Sequence, residues 1–224
     1  MQSKEFLNLS FTEENYLKAI FRIGIDNGME ESGTNDLATY LSLKPSTVNE
    51  MLKKLDEKGL VVYKKYEKTK LSPLGASIAK NIVRKHRLWE TFLYEKLDFS
   101  WDEVHAVAEE LEHIHSIKLI NGLDKFLGYP KFDPHGDPIP DENGHIERRP
   151  KRLLSEIKIG ESCKMVSVKD NSSAFLQYVA SLGLSLNKFI KVIHRQEFDG
   201  LTTIEVNDVQ KTVSQKFTDN IYVI

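Results

Sequence analysis

Five of the seven prolines in this chain of 224 residues, at positions 130, 134, 138, 140 and 150, fall in one stretch, GYPKFDPHGDPIPDENGHIERRP, which also carries three glycines. Proline has a fixed φ and no amide hydrogen, so the run can be neither helix nor central strand; it reads as a long ordered loop over 128–150. It separates two periodicities. Before it, apolar residues recur at helical spacing; after it they alternate, as in KFIKVI, LTTIEV and NIYVI, with one short apolar helix expected around 173–182. Helices first and strands last predict the α+β class, with a small β-barrel at the C-terminus.

The helical part has its own punctuation. Residues 10–25 predict a helix, with Thr12 as the cap ahead of Glu13 and Glu14. A second helix is expected from about Asn35 to Leu41, a third from Pro45 to Lys58 that stops at Gly59, and then two short β-type runs, LVVYKKY and KTKLS. Two long amphipathic patterns follow, Ser72–Leu97 and Ser100–Leu127, the latter capped by Ser100 with Glu103 three residues on.

With 40% hydrophobic and 29% charged residues, the composition is that of a globular chain. The single cysteine, Cys163, excludes an internal disulfide and a four-thiolate zinc site, and it reads as a small buried filler. The first residues lack a signal-peptide pattern and no stretch approaches about 18 uncharged apolar residues, so no membrane partner and a cytoplasmic location are expected. A net charge of −2 argues against nucleic acid until the chain is divided. Residues 41–70 hold eight Lys against four acids, whereas 76–150 hold ten Lys and Arg against fourteen acids, and six of the seven His lie between 86 and 145.

In the basic segment, Leu37, Ala38 and Leu41 share one face of a short helix, and Val48, Leu52 and Leu55 one face of the next, across the tight turn SLK. That is helix-turn-helix patterning, in which the second helix enters a major groove. Its outward residues, Ser46, Thr47, Asn49, Glu50 and Lys53, are candidates for base edges, Asn49 for adenine in particular, while Lys44, Lys53 and Lys54 suit phosphates. The hairpin with Lys64, Lys65, Lys68 and Lys70 resembles a wing aimed at the DNA backbone.

In the acidic segment, WDEVHAVAEELEHIHS places His105, Glu109, Glu112 and His113 at i, i+4, i+7 and i+8. On a continuous helix these would project within roughly a quarter to a third of the circumference. His86 and Glu90 form a further i, i+4 pair in RKHRLWETFL. Imidazole and carboxylate without thiolate suit Mn, Fe, Co, Ni or Zn. His115, His135, His145 and His194 have no such spacing and read as structural or surface residues.

The ordered set TEENYLKAI, PSTVNEMLKKLDEKGLV, LSPLGASIA, RKHRLWETFL, WDEVH, EELEH and PHGDPIP resembles the metal-dependent repressors typified by the diphtheria toxin repressor and its iron- and manganese-responsive relatives, over almost the whole chain. The resemblance implies a winged-helix DNA-binding domain over 1–75, a helical metal-binding and dimerisation domain over 76–149, and an SH3-like domain over 151–224 of the kind found in ferrous-transport accessory proteins. By motif matching it implies a primary metal site of Asn15, Glu109, Glu112 and His113, and a second of His86, Glu90 and His105. The chain departs from its relatives in places. Glu109 stands where iron-type members carry Cys, as in manganese-type members. Manganese-type members have acids on the first helix where this chain has Asn15 and Lys18, and a protonated Lys18 cannot ligate. Glu90 and His105 instead resemble the ancillary site of iron-type members. In the SH3-like part, DNSSAFLQYV has Ala174 where an acid is expected and leaves Gln177 as the candidate ligand.

The implied function is a homodimeric repressor that binds a palindromic operator in double-stranded DNA when Mn(II) or Fe(II) is sufficient. Glu109 favours manganese, and the Irving–Williams order lets Zn(II) bind in vitro. The alternative is a winged-helix regulator with a structural His/Glu cluster and a non-metal effector. A metallohydrolase would need an HExxH or a nucleophile beside an open metal position, and the chain has neither, so no enzyme is expected. The SH3-like domain has three candidate roles: supplying ligands, contacting the dimer, or binding a proline-containing peptide such as the chain's own 130–140 loop.

Overall fold

A computed structural model of the chain describes residues 9–26 and 31–224. The first helix, α1 (Phe11–Asp26), is opened by Ser10. Ser10 Oγ accepts from the Glu13 amide at 3.3 Å and Glu13 Oε2 accepts from the Ser10 amide at 2.9 Å. This reciprocal capping box satisfies two orphan amides, so the cap is Ser10 and the expected Thr12 lies inside the first turn.

Strand β1 (Glu31–Ser32) precedes α2 (Thr34–Tyr40) and α3 (Pro45–Glu57), with Ser42 in the left-handed region at φ 55° in the turn between the helices. Proline at the first position starts α3, and Gly59, at φ 68°, ends it. Strands β2 (Val61–Val62) and β3 (Thr69–Leu71) form the hairpin, and the sheet order is β1-β3-β2, all antiparallel. Two-residue β1 is too short to show alternation; it is fixed by pairing with β3 and by the Lys70–Glu31 ion pair at 2.6 Å. Tyr16, Leu17, Ile20, Leu37, Val48, Leu52, Leu55 and Leu60 make the core of this part.

Helix α4 (Pro73–Lys96) is capped by Ser72, whose Oγ accepts from the Gly75 amide at 3.0 Å. Gly75 is required by approach: a Cβ there would stand 1.9 Å from the Leu60 carbonyl oxygen. The single long helix expected from Ser100 to Leu127 is two helices, α5 (Val104–Leu111) and α6 (Ile117–Phe126). Ser116 restarts the second by accepting from the Leu119 amide, so a local cap outcompetes the continuous apolar periodicity.

The C-terminal strands β4 (Arg152–Leu153), β5 (Ser162–Val168), β6 (Phe189–Arg195), β7 (Thr202–Val206), β8 (Val209–Val213) and β9 (Ile221–Val223) form one antiparallel sheet in the order β4-β9-β5-β6-β7-β8. Helix α7 (Ser173–Ser181) follows β5 and short α8 (Gln215–Thr218) precedes β9. Met165, Leu176, Ile190, Val192, Ile204 and Phe217 fill the core. Cys163 is buried, its thiol donates to the Ile190 carbonyl, and burial pushes its pKa up to about 11.

By compactness the chain forms two units. One takes in the described residues up to Lys85 with Glu112–His115 and Pro140–His145; the other takes in His86–Leu111, Ser116–Ile139 and Ile146–Ile224. No helix among the described residues is long and apolar enough to cross a membrane.

Candidate metal centre

In the second unit, the i, i+4 spacing on α4 brings His86 and Glu90 to one face, and α5 adds His105. His86 Nε2 lies 2.9 Å from Glu90 Oε1, His105 Nδ1 lies 3.1 Å from the same oxygen, and the two nitrogens are 3.1 Å apart. Hydrogen bonding accounts for this triangle poorly. If both rings donate to Glu90, no proton is left between two nitrogens at 3.1 Å. Three donor atoms at right angles around an ion, each roughly 2.1 Å from it, stand about 3 Å apart, which is the observed spacing. Glu109 joins on the more exposed side, its Oε1 3.4 Å from His105 Nε2 and 3.9 Å from His86 Nδ1.

Two further ligand-type residues come from the proline-rich loop. Asp133 and His135 are buried and converge with Glu90, whose Oε2 is 3.8 Å from His135 Nδ1. That nitrogen is buried with no hydrogen-bond partner, while Nε2 faces the Trp101 carbonyl at 3.0 Å. Nε2 is placed to donate to that carbonyl, and Nδ1 is the nitrogen that would turn to an ion shared with Glu90 once it gives up its proton. Several local devices hold the loop. Asp133 Oδ1 accepts from the amides of His135 and Asp137, and Trp101 Nε1 donates to the Pro134 carbonyl. Gly136, at φ 84°, approaches β5 so closely that a Cβ would stand 1.9 Å from the Val166 carbonyl, and the Val168 amide donates to the His135 carbonyl. The chain's own loop thus lies against the C-terminal sheet.

Titration within this group is mutual, and an ion entering it would have to displace protons from the imidazoles. Burial opposes ionisation of Glu90, but the charge of His86 and hydrogen bonds from His105 and His86 outweigh it and hold the carboxyl well below the usual carboxylate range. Burial also disfavours a charged His135, yet its approach to Glu90 and the charge of Asp133 raise its pKa to about 9. Burial and the nearby charges of Asp137 and Glu90 raise Asp133 to about 7, against the pull of His135 and Arg87. Among the described residues of this unit, His86, Glu90, His105 and Glu109, with Asp133 and His135, fit a divalent ion. Sequence reasoning missed Asp133 and His135, because nothing in their spacing ties them to a glutamate more than forty residues earlier.

In the first unit the remaining candidates gather differently. Because α5 ends at Leu111, Glu112 and His113 lie in the turn after it, not at the i+7 and i+8 positions of a continuous helix. Glu112 is fully buried and takes Lys18 Nζ at 2.6 Å. His113 Nδ1 meets Glu14 Oε2 at 2.5 Å, and His115 Nε2 is 3.7 Å from Glu14 Oε1. Asn15 Oδ1 is buried with no hydrogen-bond partner. Lys85 is buried as well; burial lowers its pKa while Glu14 and Glu112 oppose that. The oxygens and imidazoles suit a cation, but an ammonium already serves Glu112, so this group does not fit a divalent ion while Lys18 is in place. Gln177, the candidate from α7, donates to Asp102 Oδ2 at 2.6 Å, alongside Ser173 Oγ at 2.9 Å.

The face expected to read DNA is open. Lys44, Ser46, Thr47, Glu50, Lys53, Lys64, Lys65 and Lys68 are exposed. Asn49 is partly buried, and its Oδ1 accepts from Thr34 Oγ1 and Tyr63 Oη, each at 3.2 Å. Its acceptor therefore fixes α3 against the start of α2 and the end of β2, leaving its amide NH2 as the outward group.

Helix-turn-helix, basic hairpin, buried imidazole–carboxylate cluster and SH3-like sheet together define a metal-responsive DNA-binding protein. Three family models match: "Iron dependent repressor, N-terminal DNA binding domain" over residues 8–68, "Iron dependent repressor, metal binding and dimerisation domain" over 72–141, and "FeoA domain" over 152–224. A solved "Manganese-dependent transcriptional repressor complex with manganese" is 34% identical with a TM-score of 0.83, the match covering 95% of this chain and 99% of that one. The "Iron-dependent repressor IdeR" of Mycobacterium tuberculosis is 32% identical over 58% of this chain and 55% of its own length. A "Probable metal transport system membrane protein" of Chlamydia trachomatis is 42% identical over 38% of this chain, which spans 19% of that relative. The chain belongs to the family of metal-dependent transcriptional repressors that includes IdeR, the diphtheria toxin repressor and MntR.

Proposed function

We propose that this protein is a cytoplasmic, homodimeric repressor whose binding to a palindromic operator depends on Mn(II) or Fe(II), with Zn(II) able to substitute in vitro. The observation that carries the reading is the triangle of His86 Nε2, Glu90 Oε1 and His105 Nδ1 at 2.9–3.1 Å. Glu109, a carboxylate without a thiolate nearby, favours manganese, in line with the manganese-dependent repressor among its structural neighbours. A divalent ion bound there supplies a positive charge shared by α4, α5 and the 133–135 loop. The protein's own part is to hold those carboxylates and imidazoles in place and to present α3 and the wing. Two copies of α3 in successive major grooves read the half-sites, and metal shifts their spacing only by its differential affinity for the two arrangements.

Operator affinity measured by gel shift over titrations of Mn(II), Fe(II) and Zn(II) tests this. Affinity should rise with the physiological ion. Equal affinity with and without every metal would leave the cluster structural and point to a non-metal effector.

A further inference from the structure

The group around α1 and the 112–115 turn has the makings of a ligand set whose cation is already tethered in place. Glu112 is 0% exposed and Lys18 only 4% exposed, with Nζ 2.6 Å from Glu112 Oε1. Around them stand Glu14, which faces His113 and His115, and the buried Asn15 Oδ1 with no hydrogen-bond partner. Lys85 is the second buried ammonium. Glu112 is therefore compensated by an ammonium without any ion, and Lys85 adds a second buried positive charge favoured by Glu14 and Glu112. Adding a divalent charge would either leave the buried Lys18 ammonium without its carboxylate or bury an excess of positive charge, and both are costly in a desolvated site.

We propose that Lys18 is a built-in replacement for a metal ion at Glu112. It fastens the 112–115 turn to α1 whatever the metal supply, and it masks a latent divalent site made of Glu14, Asn15, Glu112 and His113. Ions are then taken up at the His86–Glu90–His105 group alone, a refinement that rests on the metal reading above for that group. Removing the ammonium should unmask the second site. In Lys18→Met the buried Glu112 loses that ammonium, and an ion can enter without displacing it.

The test compares Lys18→Met, Glu112→Gln and the double variant Lys18→Met/Glu112→Leu with the wild type. The readouts are Mn(II) content after equilibrium dialysis and thermal midpoint with and without Mn(II). Lys18→Met should hold about one more Mn(II) per chain and show a larger Mn(II)-dependent rise in midpoint. The double variant, with the ion pair replaced by apolar groups, should return to the wild-type content. Glu112→Gln, with Lys18 in place, should keep the wild-type content even if its midpoint falls. Unchanged content in Lys18→Met, or an ion lost in Glu112→Gln, would overturn the proposal. Because every comparison is a difference from wild type, a wild type that binds no ion sinks the proposed function and still lets Lys18→Met decide this one.

Discussion

Glu90 is the residue on which the candidate metal centre is built. It is 2% exposed and meets three imidazoles: those of His86 and His105 at one carboxylate oxygen, that of His135 at the other. Glu90→Gln keeps the shape but removes the charge and half of the acceptor capacity. Since even supporting groups around a metal are worth ten- to a hundredfold in affinity, Mn(II) affinity measured by calorimetry should fall by about a hundredfold or more, with helical circular dichroism unchanged. Wild-type affinity in this variant would remove Glu90 from the site. Lys18 is the counterexample at the same scale: the residue type alone says "not a ligand", and only its partner, Glu112, says what it does instead.

Elements meet through small polar devices that no periodicity announces. Asp102, in the turn before α5, accepts from Gln177 and Ser173 on α7 and from Ser100. The hydrogen bond from Gln177 chiefly, then those from Ser100 and Ser173, lower its pKa from 3.8 to about 2. A carboxyl depressed on folding stabilises the native state above its unfolded pKa, and that contribution is lost as pH falls through the folded value. Chemical denaturation followed between about pH 5 and about pH 2 should therefore show a steeper loss of stability in the wild type than in Asp102→Asn. The difference should be small, because solvent screens an ion so little buried. Equal slopes would mean that the hydrogen bonds from α7 contribute nothing. The break between α5 and α6 has a similar origin: the apolar pattern runs on, but Ser116 offers a cap and Glu112 finds Lys18, so the chain turns there.

For the whole molecule, a net charge of −2 is compatible with a DNA partner because the charge is segregated. Lys64, Lys65 and Lys68 are exposed on the wing, where a role at phosphates predicts a salt signature. Replacing all three by Ala should flatten the plot of log affinity against log salt by up to about 0.9 for each phosphate no longer neutralised, equally for operator and random duplex. A slope unchanged from the wild type would mean the wing does not touch the backbone.

The sequence by itself determined helices before strands and most of the elements between them, α5 and α6 read as one helix and two-residue β1 excepted, because helix and strand periods, caps and prolines act over a few residues. It also supplied the ligand types, and His86 with Glu90 needed only the i, i+4 geometry of one helix. What lay beyond one element's reach was decided by tertiary structure. Asp133 and His135 enter the cluster because Gly136 and Trp101 set the loop against β5 and the turn before α5. Glu112 takes up an ion pair that no spacing announced, because its helix stops at Leu111 and a lysine ninety-four residues earlier comes within reach. The physical reason is common to these cases: a buried charge must be compensated, and which partner compensates it is settled only when distant segments come within a few ångströms.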